Sequence, residues 1–129
     1  MQTNKENIIV KMTFEFSSRI MEYVDLLVER KKNSLANQLF RSGTSIGANV
    51  REAQNAESKV DFIHKMKIAA KEADEAEYWL MLCKNNSTYP SPYNLINQID
   101  SINKILSKII SSSKVGILSS NYQITKSSN

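Results

Sequence analysis

The sequence predicts an all-α protein, a bundle of four helices. Only three glycines and two prolines interrupt the 129 residues, so a few long elements are expected rather than many short strands. Apolar residues also recur at intervals of three and four in four successive stretches, which is the spacing that places side chains on one face of a helix. Hydrophobic and charged contents of 41% and 23% are ordinary for one globular domain.

The first helix is predicted over about residues 9–31. Its apolar positions follow one another at steps of three or four residues, which defines one face of an amphipathic helix. Phe14, Val24 and Val28 widen this stripe, and we expect all of these side chains to lie in the core. The stripe itself comprises Ile9, Met12, Phe16, Ile20, Tyr23 and Leu27.

The second helix, predicted over about residues 34–56, carries two glycines one helical turn apart, Gly43 and Gly47. Each glycine costs a helix about 1 kcal/mol relative to alanine. Since the sequence accepts that cost twice on one face, we expect a neighbouring helix to approach closely there, with Ala48 also reducing the bulk. A phosphate-binding loop is the alternative role for these glycines, but the Gly-Lys-Ser/Thr ending and the preceding strand of such loops are both missing.

The third helix is predicted over about residues 59–85 and starts with a capping box that joins Ser58 to Asp61. From Phe62 to Cys83, its apolar seam repeats at alternating steps of four and three residues without a fault. Small side chains occupy the centre of the seam, so we expect it to pack closely against the glycine-bearing second helix. These helix-packing residues are Ala69, Ala73 and Ala76.

The fourth helix is predicted over about residues 92–112, with Ser91 as its N-cap and a proline in its first turn. Its face of isoleucine and leucine is wider than one neighbouring helix requires, which favours contact with another copy of the chain. The four helices form one domain, residues 1–113. Residues 114–129 are rich in serine and asparagine and are predicted to form a flexible C-terminal tail.

No combination of residues in the sequence indicates catalysis, a metal site or a cofactor, and we expect a protein that is not an enzyme. Asp61 and His64 have the spacing of one half of a di-iron site, but the chain contains a single histidine, so no second half can be built within one protomer. Cys83 lies on the apolar seam of the third helix and is expected to be a buried structural thiol. The acidic residues of that helix are expected to form a solvated face and to pair with Lys71. They are Glu72, Asp74, Glu75 and Glu77.

Positive charge is unevenly distributed along the chain, whose net charge is +4. Residues 30–51 and 104–126 each contain several basic residues and no acidic residue. A local positive surface can contact the phosphate backbone of nucleic acid without reading its sequence, whereas solubility is the alternative reason for these charges. The candidates for nucleic-acid binding are Arg30, Lys31, Lys32, Arg41 and Arg51.

Other features favour a cytoplasmic protein with no membrane contact. The N-terminal residues lack a basic segment followed by an apolar one, so we expect no secretory signal. No apolar run approaches the roughly 20 residues that span a bilayer. The single cysteine excludes an internal disulfide framework, and a reducing compartment is the simplest setting for it.

Residues 39–80 carry a resemblance to a known family. The most specific run is Arg41-Ser-Gly-Thr-Ser-Ile-Gly-Ala-Asn-Val50, followed by Asp61-Phe-Ile63, Lys71-Glu-Ala73 and Tyr78-Trp-Leu80. Over roughly residues 8–112, the chain resembles the bacterial four-helix bundle family named for proteins encoded in intervening sequences of 23S ribosomal RNA genes. The resemblance implies an up-down antiparallel bundle that assembles as a homo-pentamer with a central channel.

That family is in turn similar to the accessory protein of diversity-generating retroelements, a basic pentameric barrel that binds nucleic acid and a reverse transcriptase. The resemblance therefore implies a non-enzymatic homo-oligomer that associates with RNA or DNA. The alternative is an interaction scaffold whose oligomer docks a protein partner, such as a reverse transcriptase-like protein. The chain is only mildly basic for nucleic-acid binding, but five copies would bring weak patches together in one particle.

Overall fold

Four α-helices make up the protein in a computed structural model, which describes residues 4–127 and the side chains of residues 8–116. They are α1 (Asn4–Glu29), α2 (Asn33–Ala53), α3 (Lys59–Lys84) and α4 (Tyr93–Ser127). No strand occurs between residues 4 and 127. The predicted all-α class is therefore confirmed.

Consecutive helices run antiparallel and are joined by short turns. Gly43 of α2 lies against Ile20 of α1, whereas Gly47, further along α2, lies against Thr13, nearer the start of α1. α2 also packs against α3, α3 against α4 and α4 against α1, while the diagonal pairs of the described helices make no close contact. This arrangement is an up-down antiparallel four-helix bundle, as predicted.

The apolar faces of all four helices build the core. Two polar side chains, Thr13 and Ser42, are also fully buried. Their hydroxyl groups donate to the carbonyl oxygens of Ile9 and Gln38, one turn earlier, at 2.8 and 3.0 Å. No buried polar atom of the described side chains therefore lacks a hydrogen-bond partner. The largest fully buried apolar side chains are Phe16, Ile9, Ile20, Leu27, Leu39, Ile46, Met66, Leu80, Ile99, Ile102, Leu106 and Val50.

The two glycines of α2 allow it to approach α1 closely. A Cβ atom on Gly43 would lie 2.9 Å from Cγ1 of Ile20, and one on Gly47 would lie 3.1 Å from the carbonyl oxygen of Thr13. Both distances are shorter than an ordinary contact between non-bonded heavy atoms. The alanine-bearing helix α3 packs against α2 as expected, but on a different side of α2 from the glycines, a side that carries longer side chains such as Arg41.

The small residues of α2 and α3 differ in burial. The alanine seam of α3 is fully buried at Ala69, Ala73 and Ala76. Ala48 of α2 is exposed, because it points away from the face on which the buried positions of that helix recur. The expectation that Ala48 belongs to the packed face is therefore not met within one protomer. The buried positions of α2 are Ala36, Leu39, Ser42, Gly43, Ile46, Val50 and Ala53.

Two side chains of α1, Phe14 and Val28, depart from the predicted core because they are exposed. Each lies seven residues from Met21, which is also exposed. Seven residues are close to two helical turns, so the three side chains share one stripe that is displaced from the buried stripe. The predicted apolar face of this helix was therefore too wide, and its outer edge is open to solvent.

The isoleucine-rich face of α4 is largely covered within the protomer. α1 and α3 both pack against α4 and together account for the width of this face. The apolar surface available to another copy of the chain therefore lies on other helices, contrary to the expectation for α4. The buried residues are Leu95, Ile99, Ile102, Leu106 and Ile109, and the partly buried ones are Ile96, Ile105 and Ile110.

Helix boundaries agree with the predicted ranges to within a few residues except at the two ends of the chain. α1 begins at Asn4 rather than near residue 9, and α4 continues to Ser127 rather than ending near residue 112. The added segments contain no proline. Gly116 and the serine and asparagine residues lower helix propensity without breaking a helix, so α4 can continue through them. The flexibility of residues 114–129 stays a prediction, and Ser128 and Asn129 lie outside the described residues.

Candidate interaction surfaces

Arg30, Lys31 and Lys32 form the turn between α1 and α2. The backbone N–H group of Lys32 donates to the carbonyl oxygen of Leu27 at 2.8 Å. That of Lys31 donates to Val28 at 2.9 Å, and Lys31 has a φ angle of 62°. This pair of hydrogen bonds around a left-handed residue is a Schellman motif, which ends α1 and turns the chain towards α2.

Lys32 is held against the α3–α4 loop, which lies at the same end of the bundle. Its Nζ atom lies 4.7 Å from the ring centroid of Tyr89, within the range of a cation–π interaction. The same atom donates to Oγ1 of Thr88 at 3.4 Å. Lys32 therefore joins two connecting segments, and Arg30 and Lys31 supply the exposed positive charge of the α1–α2 turn.

Arg41 is neutralised by two glutamates of α3. Its guanidinium group donates to Oε2 of Glu72 at 3.2 Å and also to Oε2 of Glu75. Glu75 in addition accepts a hydrogen bond from Nε1 of Trp79 at 3.1 Å. These two acids bind Arg41 instead of forming a solvated face with Lys71. A guanidinium group with two carboxylate partners has little attraction left for a phosphate, so Arg41 is a weak candidate for nucleic-acid binding.

Arg51 lies in the last turn of α2, far from the α1–α2 turn. The 21 residues of α2 extend over about 30 Å, since the rise is about 1.5 Å per residue. A positive charge in the last turn also interacts favourably with the helix dipole, which gives Arg51 a local structural role. The five candidates for nucleic-acid binding are therefore spread along the bundle and do not form one patch.

A second group of basic residues comes together between α3 and α4. Lys67 of α3 and Lys114 of α4 are both exposed, and the positive charge of Lys67 lowers the pKa of Lys114. Cε of Lys59 lies 3.9 Å from the position that a Cβ atom on Gly116 would occupy. We call Lys59, Lys67 and Lys114 the α3–α4 lysine cluster. The acid-free run 104–126 indicated Lys114 in the sequence, but nothing there indicated its partners on α3.

An apolar stripe runs along the outside of α1. Phe14, Met21 and Val28 are 66%, 52% and 51% exposed, and their seven-residue spacing places them on one face. We call these three residues the α1 stripe. Exposed apolar side chains that share a face are typical of a contact surface, because leaving them in water is unfavourable.

A second apolar surface lies near the end of α3. Tyr78 and Met81 are 58% and 57% exposed, and together with Leu82 they line an open groove of about 470 Å³. We call these three residues the α3 groove. Because α3 lies diagonally across the bundle from α1, the α3 groove and the α1 stripe are on different sides of the protomer.

Comparison with known proteins places the chain in a family. A family model described as 23S rRNA-intervening sequence protein matches residues 5–108, which include most of the bundle. The chain belongs to the 23S rRNA-intervening sequence protein family. The resemblance that residues 39–80 indicated is therefore confirmed.

The chain is also similar to a solved structure from Bacteroides thetaiotaomicron, described as a protein with unknown function from the S23 ribosomal protein family. The two chains share 42% sequence identity with a TM-score of 0.78, and the match covers 83% of this chain and 98% of the other. None of the curated proteins matches the chain. Neither the family description nor that of the solved relative names a catalytic reaction.

Two titratable groups whose pKa values are raised, Tyr23 and Cys83, are buried between helices. Burial raises the pKa of Tyr23, and a hydrogen bond with Cys83 raises it further. Burial also raises the pKa of Cys83. The hydroxyl group of Tyr23 donates to the carbonyl oxygen of Pro90 at 2.5 Å. Both side chains therefore stay neutral at physiological pH, and they stabilise the bundle rather than forming a nucleophile or an acid–base pair.

The other chemical candidates have structural roles. Oγ of Ser58 accepts a hydrogen bond from the backbone N–H of Asp61 at 3.0 Å, so this pair caps α3 as predicted. His64 is exposed on α3. Among the described residues, no group of three or more histidine, cysteine or acidic side chains could hold a metal ion.

Within residues 4–127, no helix is both long enough and apolar enough to span a membrane.

Proposed function

We propose that this member of the 23S rRNA-intervening sequence protein family is a non-enzymatic homo-oligomer that associates with the phosphate backbone of RNA or DNA in the cytoplasm. The observation that carries the proposal is the presence of two apolar surfaces on different sides of one protomer, the α1 stripe and the α3 groove. Exposed basic side chains without acidic partners support the nucleic-acid part. The proposal includes no cofactor.

Two different apolar surfaces on one protomer suit head-to-tail assembly. In a two-fold dimer one surface meets its own copy, whereas in a ring each copy contributes two different surfaces. When the α1 stripe of one copy covers the α3 groove of the next, the exposed aromatic and aliphatic side chains of both leave water. The proposed number of five copies is taken from the family resemblance.

Positive charge that lacks an acidic partner supports association with nucleic acid. Arg30, Lys31 and the α3–α4 lysine cluster are exposed, and no carboxylate of the described side chains forms an ion pair with them. Each of these sites is weak by itself. Repeated in one oligomer they act together, because binding at one site raises the effective concentration of phosphates at the next.

An interaction scaffold is the second candidate function. In this case the oligomer docks a protein partner, such as a reverse transcriptase-like protein, and the positive charges serve solubility. The α3 groove favours this candidate, since it presents an aromatic and two aliphatic side chains of the kind enriched in protein interfaces. The candidates differ in their response to salt, because added salt weakens phosphate binding steeply and leaves apolar docking nearly unchanged.

Fluorescence anisotropy tests the proposed function. The full chain, shown to be folded by circular dichroism, is titrated into a labelled RNA hairpin and a labelled DNA duplex at about 50 mM and about 200 mM salt. We expect saturable binding at the lower salt and affinity at least about tenfold weaker at the higher salt. A flat trace with both nucleic acids at the lower salt would contradict the nucleic-acid part and leave the scaffold as the function.

A further inference from the structure

A chain of contacts leads from Arg41 of α2 to Tyr78, the aromatic side chain of the α3 groove. We propose that Arg41, acting through Glu75 and Trp79, holds the ring of Tyr78 in place and so preforms the α3 groove for the α1 stripe of a second copy of the chain. Arg41 is in this sense a positioning residue for the subunit contact. The inference rests on the proposed function and specifies what shapes one of its two apolar surfaces.

Arg41 joins α2 to two acids that lie one turn apart on α3. Its Nη1 atom donates to Oε2 of Glu72 at 3.2 Å, and its Nη2 atom donates to Oε2 of Glu75. The side chains of Glu72 and Glu75 are only 18% and 34% exposed, so the cation compensates two carboxylates that are partly withdrawn from water. The planar guanidinium group fixes the direction of each hydrogen bond, and it therefore fixes the orientation of both carboxylates.

The oxygen of Glu75 that binds Arg41 also binds the indole ring of Trp79. Oε2 of Glu75 accepts a hydrogen bond from Nε1 of Trp79 at 3.1 Å. A glutamate without a partner samples several rotamers, whereas the contact with Arg41 keeps this oxygen in one place. Trp79 is half-buried, and the N–H group of a buried indole needs an acceptor. The position of the Trp79 ring therefore depends on Glu75 and, through Glu75, on Arg41.

Trp79 in turn supports Tyr78. The two ring centroids lie 5.3 Å apart with an interplanar angle of 64°, which is a favourable edge-to-face arrangement. Among the described side chains, Trp79 is the one aromatic ring that packs against Tyr78, which is itself 58% exposed. A side chain that is already ordered before contact loses less freedom on association than a mobile one. Support from Trp79 therefore makes the α3 groove a better contact surface.

A second ion pair between α2 and α3 provides a matched control. Nζ of Lys65 lies 3.4 Å from Oε1 of Glu52, so this pair joins the same two helices as Arg41 does. Lys65 precedes Trp79 by 14 residues in α3. That separation corresponds to about 21 Å along the helix. Loss of Lys65 consequently removes a cation between α2 and α3 and leaves the contacts from Arg41 to Tyr78 intact.

Fluorescence tests the contacts within one protomer. R41M and K65M each replace a cation by an unbranched side chain with good helix propensity. Trp79 is the single tryptophan of the chain, so its emission is observed without background from another indole. Both substitutions are made in M21E, in which a charge in the α1 stripe leaves the α3 groove uncovered. We expect acrylamide to quench Trp79 more strongly in R41M/M21E than in M21E, and equally in K65M/M21E and M21E.

Self-association tests the consequence for the subunit contact. Fluorescence-detected sedimentation of labelled chains with the native Met21 gives the concentration at which half of the oligomer dissociates. We expect R41M to raise this concentration about three- to tenfold, the effect of one side chain that must be ordered on contact. K65M is expected to change it by less than about twofold, because an exposed ion pair contributes little. R41K keeps the charge without the planar fork and is expected to lie between R41M and the unmodified protein.

A double-mutant cycle separates a chain of contacts from independent effects. W79F removes the indole N–H group and keeps an aromatic ring beside Tyr78. Because Arg41 acts through Trp79, we expect R41M/W79F to weaken association no more than R41M alone. Urea unfolding of each variant shows that it is folded under the conditions of the association measurement.

Three results would overturn the proposal, and they are distinguishable. Equal quenching of Trp79 in R41M/M21E and K65M/M21E would show that Arg41 does not position the indole ring. Multiplication of the effects of R41M and W79F on association would show that the two side chains act independently, and in both cases the proposed function stands. A stable monomer of the unmodified protein would remove the homo-oligomer of the proposed function and the role of Arg41 in it together.

Discussion

At the scale of single residues, Tyr23 connects α1 to the loop between α3 and α4. Its ring belongs to the core, and its hydroxyl group donates to the carbonyl oxygen of Pro90 at 2.5 Å. Burial, together with the neighbouring thiol of Cys83, raises the pKa of this hydroxyl group. A buried carbonyl oxygen that loses its donor carries the full cost of its desolvation, so this one hydroxyl matters to the position of the whole loop.

We predict that Y23F lowers the free energy of unfolding by about 1 to 2 kcal/mol, because the carbonyl oxygen of Pro90 is left without a donor in a buried place. Urea unfolding monitored by circular dichroism measures the change. Y78F is the matched control, since Tyr78 is exposed, and it is expected to change stability by less than about 0.5 kcal/mol. Equal stability of Y23F and the unmodified protein would contradict the role given to this hydroxyl.

The same two buried groups predict a loss of stability at alkaline pH. In the folded protein the pKa values of Tyr23 and Cys83 are raised above their ordinary values of 10.0 and 9.0. Above pH 9 the unfolded chain therefore holds fewer protons than the folded one, and stability falls as pH rises. We predict a decline in the free energy of unfolding between about pH 9 and pH 11, with a smaller decline in Y23F. A decline of equal size in Y23F would contradict the contribution of Tyr23 to the loss of stability at alkaline pH.

Lys31 occupies a position that glycine fills better. Its φ of 62° belongs to the left-handed region, where a side chain is unfavourable by about 1 kcal/mol. We predict that K31G raises the free energy of unfolding by about 0.5 to 1 kcal/mol, the greater flexibility of unfolded glycine offsetting part of the gain. K31A removes the same charge and keeps the strain, so it is the control and is expected to give no gain. Equal urea midpoints for K31G and K31A would contradict this explanation.

At the scale of elements, the contact between α1 and α2 depends on two glycines. We predict that G43A and G47A each lower the free energy of unfolding by about 1 to 2 kcal/mol, although alanine favours a helix. The added Cβ of Gly43 meets the buried side chain of Ile20, and that of Gly47 meets a backbone oxygen, so neither neighbour yields easily.

Gly116 of α4 is the matched control for this prediction. Its added Cβ would meet nothing closer than Lys59 at 3.9 Å, so G116A is expected to raise the free energy of unfolding by up to about 1 kcal/mol. Urea unfolding of G43A, G47A and G116A measures whether each substitution raises or lowers the free energy of unfolding. Stabilisation by all three alanines would show that helix propensity outweighs the close approach of α1 and α2.

The helices and the packing of α3 against α2 were predictable from sequence, but the residues that meet between helices were not. Periodicity, caps and the scarcity of proline and glycine mark helices locally, and the seam from Phe62 to Cys83 is the clearest case. The neighbouring helix that contacts a given face of a helix is determined by packing between segments that lie far apart in the chain. Periodicity therefore did not show that Gly43 faces α1, that Arg41 binds acids of α3, or that α1 leaves Phe14 in solvent.

Charge patterning along the sequence has a similar limit, because it does not show which charged residues of other helices lie near a basic segment. An acid-free run such as residues 30–51 indicates positive charge only along the chain, and the carboxylates that neutralise Arg41 come from another helix. Conversely, the α3–α4 lysine cluster combines residues 59, 67 and 114, which no local window contains. Charge patterning along a sequence thus identified basic segments and missed how the fold distributes their charge.

At the scale of the whole molecule, one protomer leaves two apolar surfaces uncovered. The isoleucine-rich face of α4 is largely covered within the bundle. The exposed side chains of the α1 stripe and the α3 groove are therefore the ones that association with another chain would bury. Self-association also multiplies the basic sites in one particle, and the two parts of the proposed function therefore depend on each other. A protein that stayed monomeric would present only a few weak phosphate contacts.

The measurement that tests this account most directly is the mass of the protein in solution by sedimentation velocity. We predict a species several times heavier than the 14.7 kDa chain, with five copies expected from the family resemblance. M21E places a charge in the α1 stripe and is expected to give monomers. L26E adds the same charge at another exposed apolar position of α1, five residues and therefore about 140° round the helix from Met21, and is expected to leave the oligomer intact. A stable monomer of the unmodified protein at micromolar concentrations, or an oligomer that M21E leaves unchanged, would contradict the account.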